Sequence, residues 1–203
     1  MSARLFPDDI RFFQRLLRAD ELYGGRIDGI WGPLTERAVQ EFERQADAFA
    51  AESGRFDPRS ENNIRTLSLR AQPLARRFLA QLLASGVQAR IISGTRTYAM
   101  QNALYRQGRF GNAGPIVTNA RGGQSNHNFG IAWDIGIFTA DGGYLPDGEA
   151  YDTAADAALV ADLEWGGNWH SLVDKPHFEL KVPLTLAEMR LLFEEDQPLT
   201  AVA

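Results

Sequence analysis

An α+β fold is predicted for this 203-residue chain on three observations. Apolar residues recur at helical spacing in several stretches, beginning with two that flank a glycine-rich segment near the N-terminus. Two short runs, "AWDIGIF" and "HFELKV", read as strands. Helical and strand patterns do not alternate as they would around a parallel sheet, which separates the chain from the α/β class.

In "DDIRFFQRLLRA", Ile10, Phe13 and Leu17 mark one face of an amphipathic helix. "YGGRIDGIWGP" follows, where Gly24, Gly25, Gly29 and Gly32 force turns and Pro33 suits the first turn of a second helix. In "PLTERAVQEFERQ", Leu34, Ala38 and Phe42 repeat every four residues with Val39 beside them. Residues 8–45 thus form a helical hairpin around a glycine-rich loop, either a cap packed on the main domain or a module of its own. Their order resembles the small three-helix peptidoglycan-binding domain. Its Gln-x-x-Leu helix, Asp-Gly-x-Phe/Trp-Gly loop and Thr-x-x-Ala-Val-x-x-Phe helix are matched by Gln14, Leu17, Asp28, Gly29, Trp31, Gly32, Thr35, Ala38, Val39 and Phe42. That resemblance implies wall anchoring, although such domains also serve as packing modules alone.

Residues 46–62, "ADAFAAESGRFDPRSEN", are polar and turn-rich and read as a linker. The predicted organisation is therefore a helical domain over 1–48, a join over 49–62 and a second domain over 63–203. In the second domain, "PLARRFLAQLLASG" sets Leu74, Phe78 and Leu82 on one helical face and ends at Gly86. "VQARIIS" reads as a buried strand, followed by "GTRT", in which Thr97 is placed to cap the helix "YAMQNALYRQG" before Gly108 stops it. Tyr98, Gln101 and Tyr105 on that helix are expected at the core and rim. Asp141-Gly142-Gly143 turns the chain after the strand "AWDIGIF".

Composition narrows the function. Apolar content of 44% and charge of 23% suit a soluble globular protein with a real core. A net charge of -5, with 19 of 21 basic side chains being Arg and no basic block, argues against nucleic acid. Acidic balance also means that any binding to an anionic wall or membrane must be specific. Without cysteine there are no disulfides and no thiolate metal sites. "MSARLFPDDIRFF" lacks the features of a secretory signal, and no run is long enough to span a membrane. The expectation is a monomer made in the cytoplasm, reaching any outside substrate by holin-type release or a secretion machine.

The chemistry concentrates in "SNHNFGIAWD" and "WHSLVDKPHFEL". Strand alternation points Asp134, Gly136 and Phe138 one way and Ile135 and Ile137 the other; His177 and Glu179 likewise oppose Phe178 and Leu180. Neighbouring strands would aim Asp134 and His177 at one point, with the preceding loop supplying His127. Two imidazoles and a carboxylate suit a tetrahedral Zn²⁺ whose fourth position is left for water. Asp174, three residues before His177 with Pro176 between, is placed to accept a proton without binding the metal. Arg96 offers a fixed positive charge for a substrate carboxylate or oxyanion. Each residue taken singly also fits a structural role: a hydrogen-bonded histidine, a turn-bracing Asp174, a buried ion pair at Arg96.

Together, "SGTRTYAMQNALYRQGR", "IVTNARGGQSNHNFGIAWDIGIF" and "LEWGGNWHSLVDKPHFEL" resemble the L-alanyl-D-glutamate endopeptidase and D-Ala-D-Ala carboxypeptidase family, zinc enzymes of the LAS fold. The family pattern runs Ser-Gly-x-Arg-[Ser/Thr], Ser-x-His-x-x-Gly-x-Ala-x-Asp, then [Glu/Asp]-x-x-His, and covers roughly residues 60–182. The resemblance implies a LAS-type zinc peptidase domain, with a small antiparallel sheet and flanking helices, preceded by a small three-helix domain. It places the ligands of one zinc on His127, Asp134 and His177, the general base on Asp174, the stabilising arginine on Arg96 and a substrate-contacting serine on Ser125. Asn168 stands where Asp is common and is assigned no catalytic role. Trp169 and His170 are candidate substrate contacts, with packing and surface roles as their alternatives; Trp165 either walls the cleft or packs.

The expected activity is zinc-dependent cleavage of the peptidoglycan stem peptide, of the L-alanyl-D-glutamate type. A D,D-carboxypeptidase releasing terminal D-Ala is the alternative reaction, and a non-catalytic zinc-stabilised wall-binding protein the alternative class.

Overall fold

The computed structural model describes residues 6–170 and 172–199; Met1–Leu5, the start of the stretch read for a secretion signal, lie outside them. Two compact units form. One takes in the chain up to Gln45, Arg96–Phe129 and the chain from Pro183 onward; the other comprises Ala46–Thr95 and Gly130–Val182.

In the first unit, helix α1 (Pro7–Ala19) opens with Pro7 in its first turn beside Asp8 and Asp9, both suited to the positive helix end. This helix is buried on two faces roughly 160° apart. On one, Leu17 clusters with Tyr23 and Ala38. There too, the fully buried Gln14 staples the glycine-rich loop: its Oε1 accepts from the Gly29 N–H (3.0 Å) and its Nε2 donates to Asp28 Oδ1 (3.0 Å). On the other face, Phe12 meets the rings of Tyr98 (6.0 Å) and Phe193 (5.5 Å), and Phe193 meets Phe129 (5.5 Å). The second face explains a departure from the sequence reading. Phe12 is buried, whereas Phe13, expected on the core stripe, is 41% exposed at the edge between the two faces. Leu34 is likewise exposed; helix α2 (Pro33–Ser53) buries Thr35, Ala38, Ala46 and Ala50 instead.

The stretch read as a linker is mostly helical. Helix α2 continues to Ser53, and helix α3 covers Pro58–Ile64. Asp57 and Pro58, which look like turn residues, are the N-cap and first helical residue of α3, with the Asp57 side chain accepting from Arg59 N and Ser60 N. Ala46 and Ala50 are too small to register as an apolar stripe, yet both are core positions.

In the second unit, helix α4 (Ala71–Ala84) packs on a sheet of strands β1 (Ala89–Ser93), β2 (Ala132–Phe138), β3 (Tyr144–Leu145), β4 (Leu163–Trp165) and β5 (His177–Leu180). The order is β1-β2-β5-β4, with β3 paired to β2 and every pairing antiparallel. Its apolar face buries Ile91, Trp133, Ile135, Ile137 and Phe178, with Phe78 of α4 against Phe178 (4.4 Å between ring centroids) and Trp133 (6.0 Å). Helix α6 (Glu149–Ala158) adds Tyr151, Ala154 and Ala155 to the same core. Helix α5 (Tyr98–Arg106) in the first unit is capped as predicted, the Thr97 hydroxyl accepting from Met100 N (3.2 Å). Helix α7 (Leu186–Glu194) carries a capping box of Thr185 and Glu188. Among the described residues no helix is long and apolar enough to cross a membrane.

Two predictions follow from this packing. Phe12→Ala removes a ring from the α1–α5–α7 aromatic cluster and should cost about 3 kcal/mol in chemical denaturation. The second concerns Arg76 of α4, which binds Glu61 of α3 through two hydrogen bonds (3.0 and 2.8 Å) with both groups buried. Burial opposes ionisation of Glu61, but the Arg76 hydrogen bonds and the Phe56 N–H outweigh it and hold the carboxyl below its usual 4.5. With the folded value depressed, this stabilisation is present above pH 4.5 and is lost as pH falls through the folded value. Glu61→Gln should flatten that acid limb of stability, and Arg76→Ala, which leaves Glu61 buried without its partner, should cost about 3–5 kcal/mol.

Candidate metal centre

The register of β2 on β5 sets Asp134 directly opposite His177, Trp133 opposite Phe178 and Ala132 opposite Glu179. Because successive side chains alternate, Trp133 and Phe178 enter the core while Asp134, His177 and Glu179 share the other face. His177 is buried, and both its ring nitrogens meet a carboxylate: Nδ1 lies 3.3 Å from Asp134 Oδ1 and Nε2 lies 2.7 Å from Glu179 Oε2. The Trp169 ring packs on the imidazole (4.9 Å between centroids) and its Nε1 donates to Glu164 Oε1 (2.7 Å). Burial disfavours the imidazolium of His177, yet Asp134 and Glu179 together raise its pKa to about 9. The pocket around this ring thus favours positive charge.

The turn before His177 is pinned through its backbone. Asp174 N donates to Gly166 O (3.0 Å), His177 N to Asp174 O (3.1 Å) and Trp165 Nε1 to Lys175 O (2.7 Å). Lys175 also pairs with Asp152 of α6 (2.6 Å). Gly166 lies so close under this turn that a Cβ there would collide with the Asp174 carbonyl and press on the His177 Cβ at 3.1 Å. Trp165, whose role was left open, is buried and stacks on Phe178.

His127 sits in a short 3-10 turn, Asn126–Phe129, and is 2% exposed. Arg96 braces that turn with its main chain: its N–H donates to His127 O (3.0 Å) and its carbonyl accepts from Asn128 Nδ2 (2.8 Å). The Arg96 guanidinium makes a long contact to Gln101 Oε1 (3.4 Å). Ser125 is half-buried, and its carbonyl accepts from Asn128 N (2.9 Å). His170 and Asn168 are exposed.

His127, Asp134 and His177 each offer a ligand atom, all within 4.8 Å of one another. The donor set fits zinc. In a tetrahedral site with arms near 2.0 Å the ligand atoms stand about 3.3 Å apart, which is the separation of Asp134 Oδ1 and His177 Nδ1. Glu179 is the residue to which the sequence reading gave no role. Its place on the His177 face was visible in the strand alternation, but its contact with the far ring nitrogen was not.

Comparison with known proteins finds matches over both parts of the chain. Residues 118–180, which include Ser125, His127, Asp134, Asp174 and His177, match the family model described as D-alanyl-D-alanine carboxypeptidase. Residues 7–59 match the putative peptidoglycan binding domain. Among individual proteins, the chain is 38% identical over 105 residues to the peptidoglycan L-alanyl-D-glutamate endopeptidase CwlK of Bacillus subtilis, a match covering 47% of this chain. The chain spans 62% of that relative's length. A crystal structure of the Serratia marcescens L-Ala D-Glu endopeptidase ChiX is 29% identical, with a TM-score of 0.48 over 64% of this chain and 92% of that one.

Gly166→Ala is expected to lift the 174–177 turn away from β4, lowering the melting temperature by several degrees, on the order of 1–3 kcal/mol of overpacking. Calorimetry of the metal-free variant reads this directly.

Proposed function

We propose that this protein is a zinc-dependent peptidoglycan peptidase that cuts the stem peptide between L-Ala and D-Glu, with its N-terminal module engaging the wall. The observation that carries this reading is the Asp134–His177 cross-strand pair, with His177 buried and His127 within ligand reach. The matches over 7–59 and 118–180 and the likeness to CwlK support the substrate class.

His127, Asp134 and His177 would hold the ion, which when bound supplies Lewis acidity and lowers the pKa of water toward ~7. Asp174 takes the proton of the attacking water and passes it to the leaving amine. Its main chain is hydrogen-bonded to Gly166 and to His177, which fixes the turn that carries it. Arg96 presents positive charge to a carboxylate of the stem peptide or to the oxyanion that develops on the scissile carbonyl. Its backbone bond to His127 ties that charge to the ligand loop. Ser125, Trp169 and His170 are the proposed substrate contacts.

A second reading, release of terminal D-Ala, is favoured by the description of the family model over 118–180. Mass spectrometry of defined muropeptides, with zinc-loaded and chelated protein, separates the two. Products split between L-Ala and D-Glu and lost on chelation are expected; free D-Ala as the sole product would replace the endopeptidase by a carboxypeptidase. No cleavage by folded, zinc-containing protein would leave a wall-binding protein. Asp174→Ala should lower turnover by about 10²–10⁴-fold with zinc content unchanged, and full turnover by that variant would remove Asp174 from the mechanism.

A further inference from the structure

Glu179 has no part in the mechanism above, yet it makes a short contact to the candidate ligand set. Its Oε2 lies 2.7 Å from His177 Nε2, and both groups are buried. The two ring nitrogens of His177 face different partners, Nδ1 toward Asp134 and Nε2 toward Glu179. A neutral imidazole carries one N–H, and which nitrogen bears it is set by the hydrogen bond that nitrogen can make. Asp134 belongs to the candidate ligand group, and Glu179, two residues along β5, does not.

We infer that Glu179 is a positioning residue that holds the His177 Nε2–H, leaving Nδ1 as the nitrogen that faces the metal. The inference rests on the metal reading proposed above. Three further features fit this role. Glu179 sits opposite Glu164 across β4 and β5, an arrangement of like charges that destabilises a sheet unless each carboxylate has another partner. Each has one: Glu179 has the His177 ring and Glu164 has the Trp169 N–H. Trp169 in turn packs at a tilt against the His177 ring, so the imidazole is held between the indole and the carboxylate. An imidazole held in this way keeps its orientation when a cation arrives, and such partners orient a ligand and raise its basicity.

The test measures zinc affinity by competition with a chromophoric chelator, for the full chain and for Glu179→Ala and Glu179→Gln. Glu179→Ala should weaken zinc binding by about 10–100-fold, while Glu179→Gln, which keeps an acceptor for Nε2–H, should stay within about threefold of wild type. Unchanged affinity in Glu179→Ala would overturn the inference alone. An equal loss in both variants would also overturn it, because charge rather than the hydrogen bond would then be at work. Wild-type protein that binds no zinc would overturn the metal reading together with this one. Nitrogen-15 NMR of zinc-loaded wild type gives an answer that needs no variant to fold. A protonated Nε2 with Nδ1 on the metal is expected, and coordination through Nε2 would sink the assignment.

Discussion

The site depends on the antiparallel register that sets Asp134 opposite His177. Strand side chains alternate, so a slip of one residue would exchange the two faces of β2. The register that buries Trp133, Ile135 and Phe178 against Phe78 is therefore the same one that gathers Asp134, His177 and Glu179 on the opposite face. Burying each of those large apolar side chains is worth roughly 1.5–3 kcal/mol, which makes the slipped alternative far too costly to populate. Hydrophobic packing on one face thus fixes polar geometry on the other.

Loop residues cannot be placed that way, and here they are held by main-chain hydrogen bonds. Arg96 and the His127 turn exchange bonds through backbone N–H, backbone carbonyl and the Asn128 amide. The turn carrying Asp174 is tied to Gly166 and to the Trp165 indole. Glycine appears where a backbone must come this close. Gly94, just before Thr95 and Arg96, leaves no room for a Cβ against Asn63 and Thr66, as Gly166 leaves none beneath Asp174. The glycines of the Ser-Gly-x-Arg and Trp-Gly-Gly motifs thus mark close approach of chain segments as well as turns.

This division explains what could be read from the sequence. Strand β2, the faces of β2 and β5, the Thr97 cap and the grouping of His127, Asp134 and His177 follow from short-range periodicity and from motif order, and both are explicit in the residues. The misreadings have separate causes. Phe12 was not among the residues of the predicted stripe of α1, because its neighbours Tyr98 and Phe193 lie far along the chain. Residues 46–62 looked like a linker because their core positions are alanines and their polar residues cap a helix. The Glu179–His177 bond was hidden differently: alternation gives the face but not which carboxylate meets which nitrogen.

The face of the sheet that carries Asp134 and His177 also gathers negative charge. Asp134, Glu164 and Glu179 lie on adjacent strands, two of them directly paired, with the imidazole of His177 among them. Without a cation such a face works against folding through like-charge repulsion and desolvation. Part of that cost is offset by the Trp169 N–H and by a proton on His177, whose affinity the same carboxylates raise. A divalent ion bound by His127, Asp134 and His177 would meet the same field, and its charge would offset the remaining repulsion more fully than a single proton can. Local conflict of this kind is expected where residues are kept for chemistry instead of for packing. On this sheet it is confined to the face opposite the core, where it leaves the apolar packing of the register intact.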